Sequence, residues 1–143
     1  MASRKQSGVT LIELMVAVAI VAILSAIAYP SYQRYVARTH RNAATACMSQ
    51  YAQVMEQHYT ANLSYVGAPP IATPQPCSRE NDLNRRYTIA VRAGSVTART
   101  YIIDATPIGT QAAVDGAQCG TLTLDQSGAR FTSVTANRDL CWR

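Results

Sequence analysis

One carboxylate stands where carboxylates are rarely tolerated. Glu13 follows Val9-Thr10-Leu11-Ile12 and precedes an apolar run from Leu14 to Tyr29 that halts at Pro30. The run is long enough to cross a bilayer as a helix, which takes about 20 apolar residues. An ionisable group inside hydrocarbon costs about 2.5–3.5 kcal/mol on insertion scales, so Glu13 requires a partner and a purpose. A secretory signal peptide has a shorter apolar region with a polar mature start behind it, which this run does not match. A plain anchor accounts for the length and leaves Glu13 unexplained.

The other side chains capable of chemistry are cysteines and arginines. Cys47, Cys77, Cys119 and Cys141 lack C-x-x-C spacing, and His40 and His58 fall on a predicted helix apart from them, so zinc is not expected. Two disulfides in an exported domain fit better. Three connectivities are open, and Cys47–Cys77 with Cys119–Cys141 is favoured because each closes a local loop. The second loop, of about 20 residues, would stabilise by about 3 kcal/mol in the chain-entropy model. Asp104, Asp115, Asp125 and Asp139 form no calcium-loop pattern. There is no nucleophile elbow, phosphate-cradling glycine loop or metal-ligand spacing. Glu56 and His58, two apart on a helix, do not share a face. No enzyme activity, cofactor or metal is therefore expected.

The net charge is +5, and Lys5 is the only lysine. Beyond it every side-chain cation except histidine is arginine, whose planar fork suits carboxylate and phosphate. Contact with DNA or acidic neighbours is one reading. A solvated surface shaped by arginine-rich codon usage is the other, and charge alone bears on solubility rather than fold.

These groups must be positioned by a helix and a sheet. Pro30 lacks an amide hydrogen, so a kink or local melt is expected there. Beyond it Tyr32, Tyr35, Val36, Ala43, Cys47, Tyr51, Val54, Met55 and His58 recur at steps of three and four, with Arg34, Arg38 and Arg41 on the solvated face. The pattern describes a helix of about 50 residues, apolar all round first and amphipathic after. Pro69, Pro70, Pro74 and Pro76 exclude helix and predict an extended segment within a loop over 60–86. Strands are predicted at Tyr87–Arg92, Tyr101–Thr106, Thr121–Leu124 and Ala129–Thr132, with Ile89, Val91, Ile103, Leu122, Leu124 and Phe131 facing the helix. Asp125-Gln126-Ser127-Gly128 has type I turn chemistry. The fold class is α+β: a long N-terminal α-helix, apolar in its first half, packed on a four-stranded antiparallel sheet, with a disulfide-bonded C-terminal region.

The segment Arg4-Lys5-Gln6-Ser7-Gly8-Val9-Thr10-Leu11-Ile12-Glu13 resembles the N-terminus of type IV pilins: a short basic leader, a glycine before the cut and a glutamate fifth in the mature chain. The resemblance implies cleavage by a prepilin peptidase between Gly8 and Val9 and N-methylation of Val9, although the family usually has phenylalanine there. The new amine of Val9 is then the natural partner for Glu13 of a neighbouring subunit, a pairing that would select register during assembly. The implied divisions are a leader over 1–8, a membrane and filament-core helix over 9–30, its amphipathic half over 31–59, and the loop and sheet of a globular head over 60–143. Thr39-His40-Arg41-Asn42, Glu56–Asn62, Ala105-Thr106-Pro107, Cys119–Gly128 and Cys141-Trp142 further resemble minor pilins of the PilE and ComP type.

By this resemblance the chain is a structural subunit that enters or primes a type IV pilus and supports assembly, twitching motility and DNA uptake. Its implied partners are major and minor pilins, the prepilin peptidase and the inner-membrane assembly machinery. It would sit first in the inner membrane with its head in the periplasm, and then in the surface pilus. The alternative is a DNA-binding pilin acting as uptake receptor. Its candidate DNA contacts are Arg79, Arg85, Arg86, Arg92, Arg99, Arg130 and Arg138, with Trp142 for stacking, and Arg85, Arg86 and Arg138 are candidates to share one face. A further alternative is a type II secretion pseudopilin, which has the same N-terminus.

Overall fold

The computed structural model describes residues 9–69, 77, 80–134 and 138–142. The leader with Gly8, the prolines at 70, 74 and 76, and Arg79 lie outside the described residues. The chain divides into two compact units, Met1–Tyr35 and Val36–Arg143.

Helix α1 spans Leu11–Asn62. Thr10 opens it, its hydroxyl accepting the Glu13 amide at 3.4 Å, and Glu13 in the first turn complements the positive end of the helix dipole. The expected melt at Pro30 is not found: the residue is helical, because one missing amide removes a single bond from a 52-residue ladder. The amphipathic half runs to Asn62 rather than 59. There Leu63 turns left-handed (φ 55°) and its amide donates to the Tyr59 carbonyl at 2.7 Å, closing the helix without a glycine.

In the second unit the buried stripe of α1 is Ala37, Arg41, Ala44, Met48, Tyr51 and Met55, with Cys47 beside it. These residues alternate steps of four and three, one seam of a helix. The stripe expected from apolar residues alone is thus corrected at four points. Tyr32, Tyr35 and Val54 are exposed, at 66%, 71% and 41%, and Arg41, assigned to the solvated face, is buried on the seam.

A 3-10 helix at Glu80–Arg85 leads into the sheet, whose order is β1 (Tyr87–Val91), β2 (Ile102–Pro107), β3 (Leu122–Asp125) and β4 (Arg130–Thr132), all antiparallel. Tyr87, Ile89, Ile103, Ala105, Leu122 and Leu124 face the core with the α1 seam. Phe131 does not join them and is 48% exposed. The register explains this: Leu122 pairs with Thr132 and Thr123 with Phe131, so strand alternation turns Thr132 inward and Phe131 outward. In the β3–β4 turn one Asp125 oxygen accepts the Ser127 and Ala129 amides at 2.9 and 3.0 Å. Burial opposes ionisation of Asp125, but these bonds and that of the Ser127 hydroxyl outweigh it and hold the carboxyl below its ordinary range.

Among the described residues two short helices complete the head: α2 at Gly109–Asp115 and α3 at Arg138–Cys141. Disulfides join Cys47 to Cys77 and Cys119 to Cys141. Gly120 is required beside the second bridge. Its φ is +61°, and a Cβ there would run into the Ser133 hydroxyl, which accepts the Thr121 amide at 3.0 Å.

Candidate functional site

The first site is a surface of helix. Leu11, Ile12, Val18, Ile23, Leu24 and Ile27 are all more than 60% exposed, and no residue of the most apolar 18-residue window, of mean hydropathy 2.7, is buried. A helix apolar on every side is stable only in lipid or among other apolar helices. Val9 is 68% exposed at its start. Among the described residues no basic side chain of the same chain pairs with Glu13. Its carboxylate is available to a group from outside.

The second site is a groove of about 580 Å³ at the C-terminal end of the head, lined by Gly128, Ala129, Arg130, Phe131, Arg138, Asp139 and Trp142. Strand β4 presents Arg130 at its start, and α3 presents Arg138. The Arg130 guanidinium lies over the Trp142 ring at 5.4 Å, a cation–π contact, and the Trp142 indole N–H donates to the Phe131 carbonyl at 3.0 Å. Arg138 also donates to Asp139 at 3.2 Å, with both side chains largely exposed. The groove therefore offers two guanidinium groups and two aromatic rings, with the Asp139 carboxylate beside Arg138. Such a set can engage a phosphate backbone and stack on a base.

The other candidate arginines lie elsewhere. Arg85 and Arg86 precede β1, at the sheet edge opposite β4, and Arg86 donates to the Thr110 hydroxyl. They do not share the groove with Arg138. Arg92 grips Asp104 with both arms at 2.8 Å on the outer sheet face, and that pair holds its pKa above the ordinary value. Arg99 is exposed in the β1–β2 connection. Among the described residues no three His, Cys, Asp or Glu side chains cluster so as to hold a metal.

Linked to α3 through the Leu140 carbonyl is a polar cluster that an apolar-pattern reading misses. Arg41 donates through Nε and Nη2 to the two Asp115 oxygens, at 3.0 and 2.7 Å. Asp115 also accepts from the Tyr87 hydroxyl and the Gln111 amide, each at 2.7 Å, and Gln111 reaches the Ala37 carbonyl at 2.9 Å. Burial would lower the Arg41 pKa, but the hydrogen bond and charge of Asp115 outweigh it and raise it. Burial, then the bond to Asp115, pushes the Tyr87 hydroxyl well above its ordinary value. The one sequence signal for this cluster was a lone arginine at a seam position of α1.

An exposed apolar helix with a single early carboxylate, carried by a chain whose head packs a helix seam on a four-stranded sheet, is type IV pilin architecture. The chain belongs to the family described as type IV minor pilin ComP, DNA uptake sequence receptor, whose model matches residues 30–123. The prokaryotic N-terminal methylation motif matches residues 3–29. The chain is 34% identical over 96 residues to the type IV major pilin protein PilE1 of Neisseria gonorrhoeae, a match covering 66% of this chain and 44% of that one. A fimbrial protein of Neisseria meningitidis is 35% identical over 95 residues, covering 65% and 54%. The match thus spans about half the length of these curated relatives. A solved type IV pilin from Shewanella oneidensis superimposes with a TM-score of 0.52 over 75% of this chain and 98% of that one. At 22% identity that likeness is one of fold.

Proposed function

We propose that the chain is a minor type IV pilin that enters the pilus by its apolar helix and carries a DNA-binding head for uptake. The observation that carries the first half is the uncovered helix with Glu13 unpaired inside its own chain among the described residues. Cleavage between Gly8 and Val9 frees an amine, Val9 is methylated, and Glu13 of one subunit meets the amine of the next. Two charges in hydrocarbon are tolerable when paired, and the pairing fixes how neighbouring helices align. Before assembly the subunit is held in the inner membrane with its head in the periplasm, where the prepilin peptidase and assembly machinery act on it. Its partners in the filament are other pilins, and it performs no catalysis of its own.

The second half rests on the groove. Arg130, Arg138 and Trp142 converge there, and the family to which the chain belongs is described as a DNA uptake sequence receptor. Phosphate contacts from the arginines supply affinity without sequence preference, and stacking on an aromatic ring adds to it. The family match favours a pilus subunit over a secretion pseudopilin.

Sheared surface filaments test the assembly role. The native chain is expected in the filament fraction, Gly8→Ser with its leader attached in the membrane, and Glu13→Ala in the membrane with its head folded. Normal processing of Gly8→Ser, or full incorporation of Glu13→Ala, would overturn the assignment.

A further inference from the structure

The Arg41–Asp115 pair reaches further than the core it lies in. Its third arm, Arg41 Nη1, donates to the carbonyl of Leu140 at 3.4 Å, next to Cys141. At the other end, the Asp115 carbonyl accepts the amides of Gln118, Cys119 and Gly120 at 3.1, 2.7 and 3.0 Å. The Arg41 side chain of the pair therefore holds the backbone beside Cys141, and the backbone of its partner Asp115 holds that beside Cys119. The same short stretch, α3 and Trp142, forms one wall of the groove.

A disulfide alone does not set the orientation of what it tethers. It holds Cys119 and Cys141 at a Cα separation of 5.8 Å but leaves rotation about the link. The Leu140 carbonyl on Arg41 and the Trp142 indole on the Phe131 carbonyl add two further attachments, and three fix a rigid piece in space. Stability by itself does not call for an ion pair here, since apolar residues of similar volume serve a core as well or better. Nor does lysine replace arginine, because only the planar fork puts two N–H groups on a carboxylate while a third points elsewhere. Both side chains are buried, at 6% and 0% exposure, so neither can touch a ligand in the groove.

We propose that Arg41 and Asp115 are positioning residues that orient α3 and Trp142 so that Arg138 and Arg130 present a matched pair of phosphate contacts. This rests on the DNA reading of the groove. The first arm of its test does not.

The protein supplies its own reporter, since Trp142 is its one tryptophan. The full chain in nonionic detergent is compared with Arg41→Lys, which keeps a charge for Asp115 and gives up the arm to Leu140. Without DNA, Trp142 fluorescence of the variant is expected to become more accessible to a soluble quencher, while its circular dichroism and melting remain those of a folded head. With a labelled duplex, the slope of log K against log salt loses about 0.9 for each phosphate contact given up, or about eightfold in affinity at about 0.1 M salt. A folded variant with unchanged quenching, or with unchanged slope, would overturn the proposal and leave the pair a purely structural one. Looser Trp142 in a chain whose native form binds no DNA at low salt would support the orienting role and defeat the DNA reading instead. Should Arg41→Lys prevent folding, the double variant Arg41→Met/Asp115→Leu restores an apolar interior without the Leu140 donor. Increased quenching there supports the proposal, and native quenching overturns it.

Discussion

Asp115→Ala is the substitution whose effect the structure sizes best. The Asp115 side chain is fully buried and receives four donors: Arg41 Nε at 3.0 Å, and Arg41 Nη2, Tyr87 Oη and Gln111 Nε2 each at 2.7 Å. Removing it strands a buried guanidinium, which costs about 3–5 kcal/mol. Tyr87 and Gln111 lose less, because they remain bonded to each other at 3.2 Å. Domains of this size have a total stability of roughly 5–15 kcal/mol, so the change removes a large share of it. At about 5 °C per kcal/mol for a head of about 100 residues, Tm should fall by about 15–25 °C. Thermal unfolding of the full chain in detergent, followed by circular dichroism, measures this. Arg41→Met/Asp115→Leu removes both charges together and should recover most of the loss, with a coupling of about 2–3 kcal/mol. A Tm drop below about 5 °C for Asp115→Ala, or strictly additive losses in the double variant, would refute the reasoning, since the charges would then be solvated or independent.

Other perturbations act on a disulfide and on a partly buried histidine. Cys141→Ser opens a bridge of sequence separation 22 and should cost about 2–5 kcal/mol, read as a lower Tm; an unchanged Tm would show that the bridge contributes nothing. His40 has a buried Nδ1 without a hydrogen bond, and burial, then the Arg86 charge, lowers its pKa from 6.5 against the opposing pull of Asp82. The unfolded chain thus binds this proton more readily, so the contribution is complete above pH 6.5 and is lost as pH falls through the lowered folded value. Tm of the native chain should decline across that window, the decline should weaken in His40→Gln, and identical pH profiles would contradict the assignment.

How much of this was legible beforehand depended on whether burial followed apolarity. The apolar run with Glu13 announced itself, since a carboxylate among aliphatic residues has few explanations. Strand alternation at Tyr87–Val91 and the Asp125–Gly128 turn were read correctly because each has local chemistry. Arg41 was not, because its seam position belongs to a partner 74 residues away on a helix with no periodic pattern to announce it. That helix, Gly109–Asp115, has seven residues, too few to be stable without tertiary contacts. Phe131 was turned the wrong way because a three-residue strand carries too little alternation to fix its parity; pairing with β3 decides it. Arg130 and Trp142 were each visible as candidate contacts, but their convergence on one groove required β4 and α3 to be placed in space.

The role of the groove is tested by DNA binding of the native chain, titrated against salt beside Arg130→Ala/Arg138→Ala and Arg85→Ala/Arg86→Ala. Binding is expected whose log K falls with log salt by about 0.9 per phosphate contacted, a slope reduced by about 1.8 in the groove variant and little changed in the other. No binding by the native chain at low salt, or equal loss in both variants, would contradict the groove as the site where this pilin meets DNA.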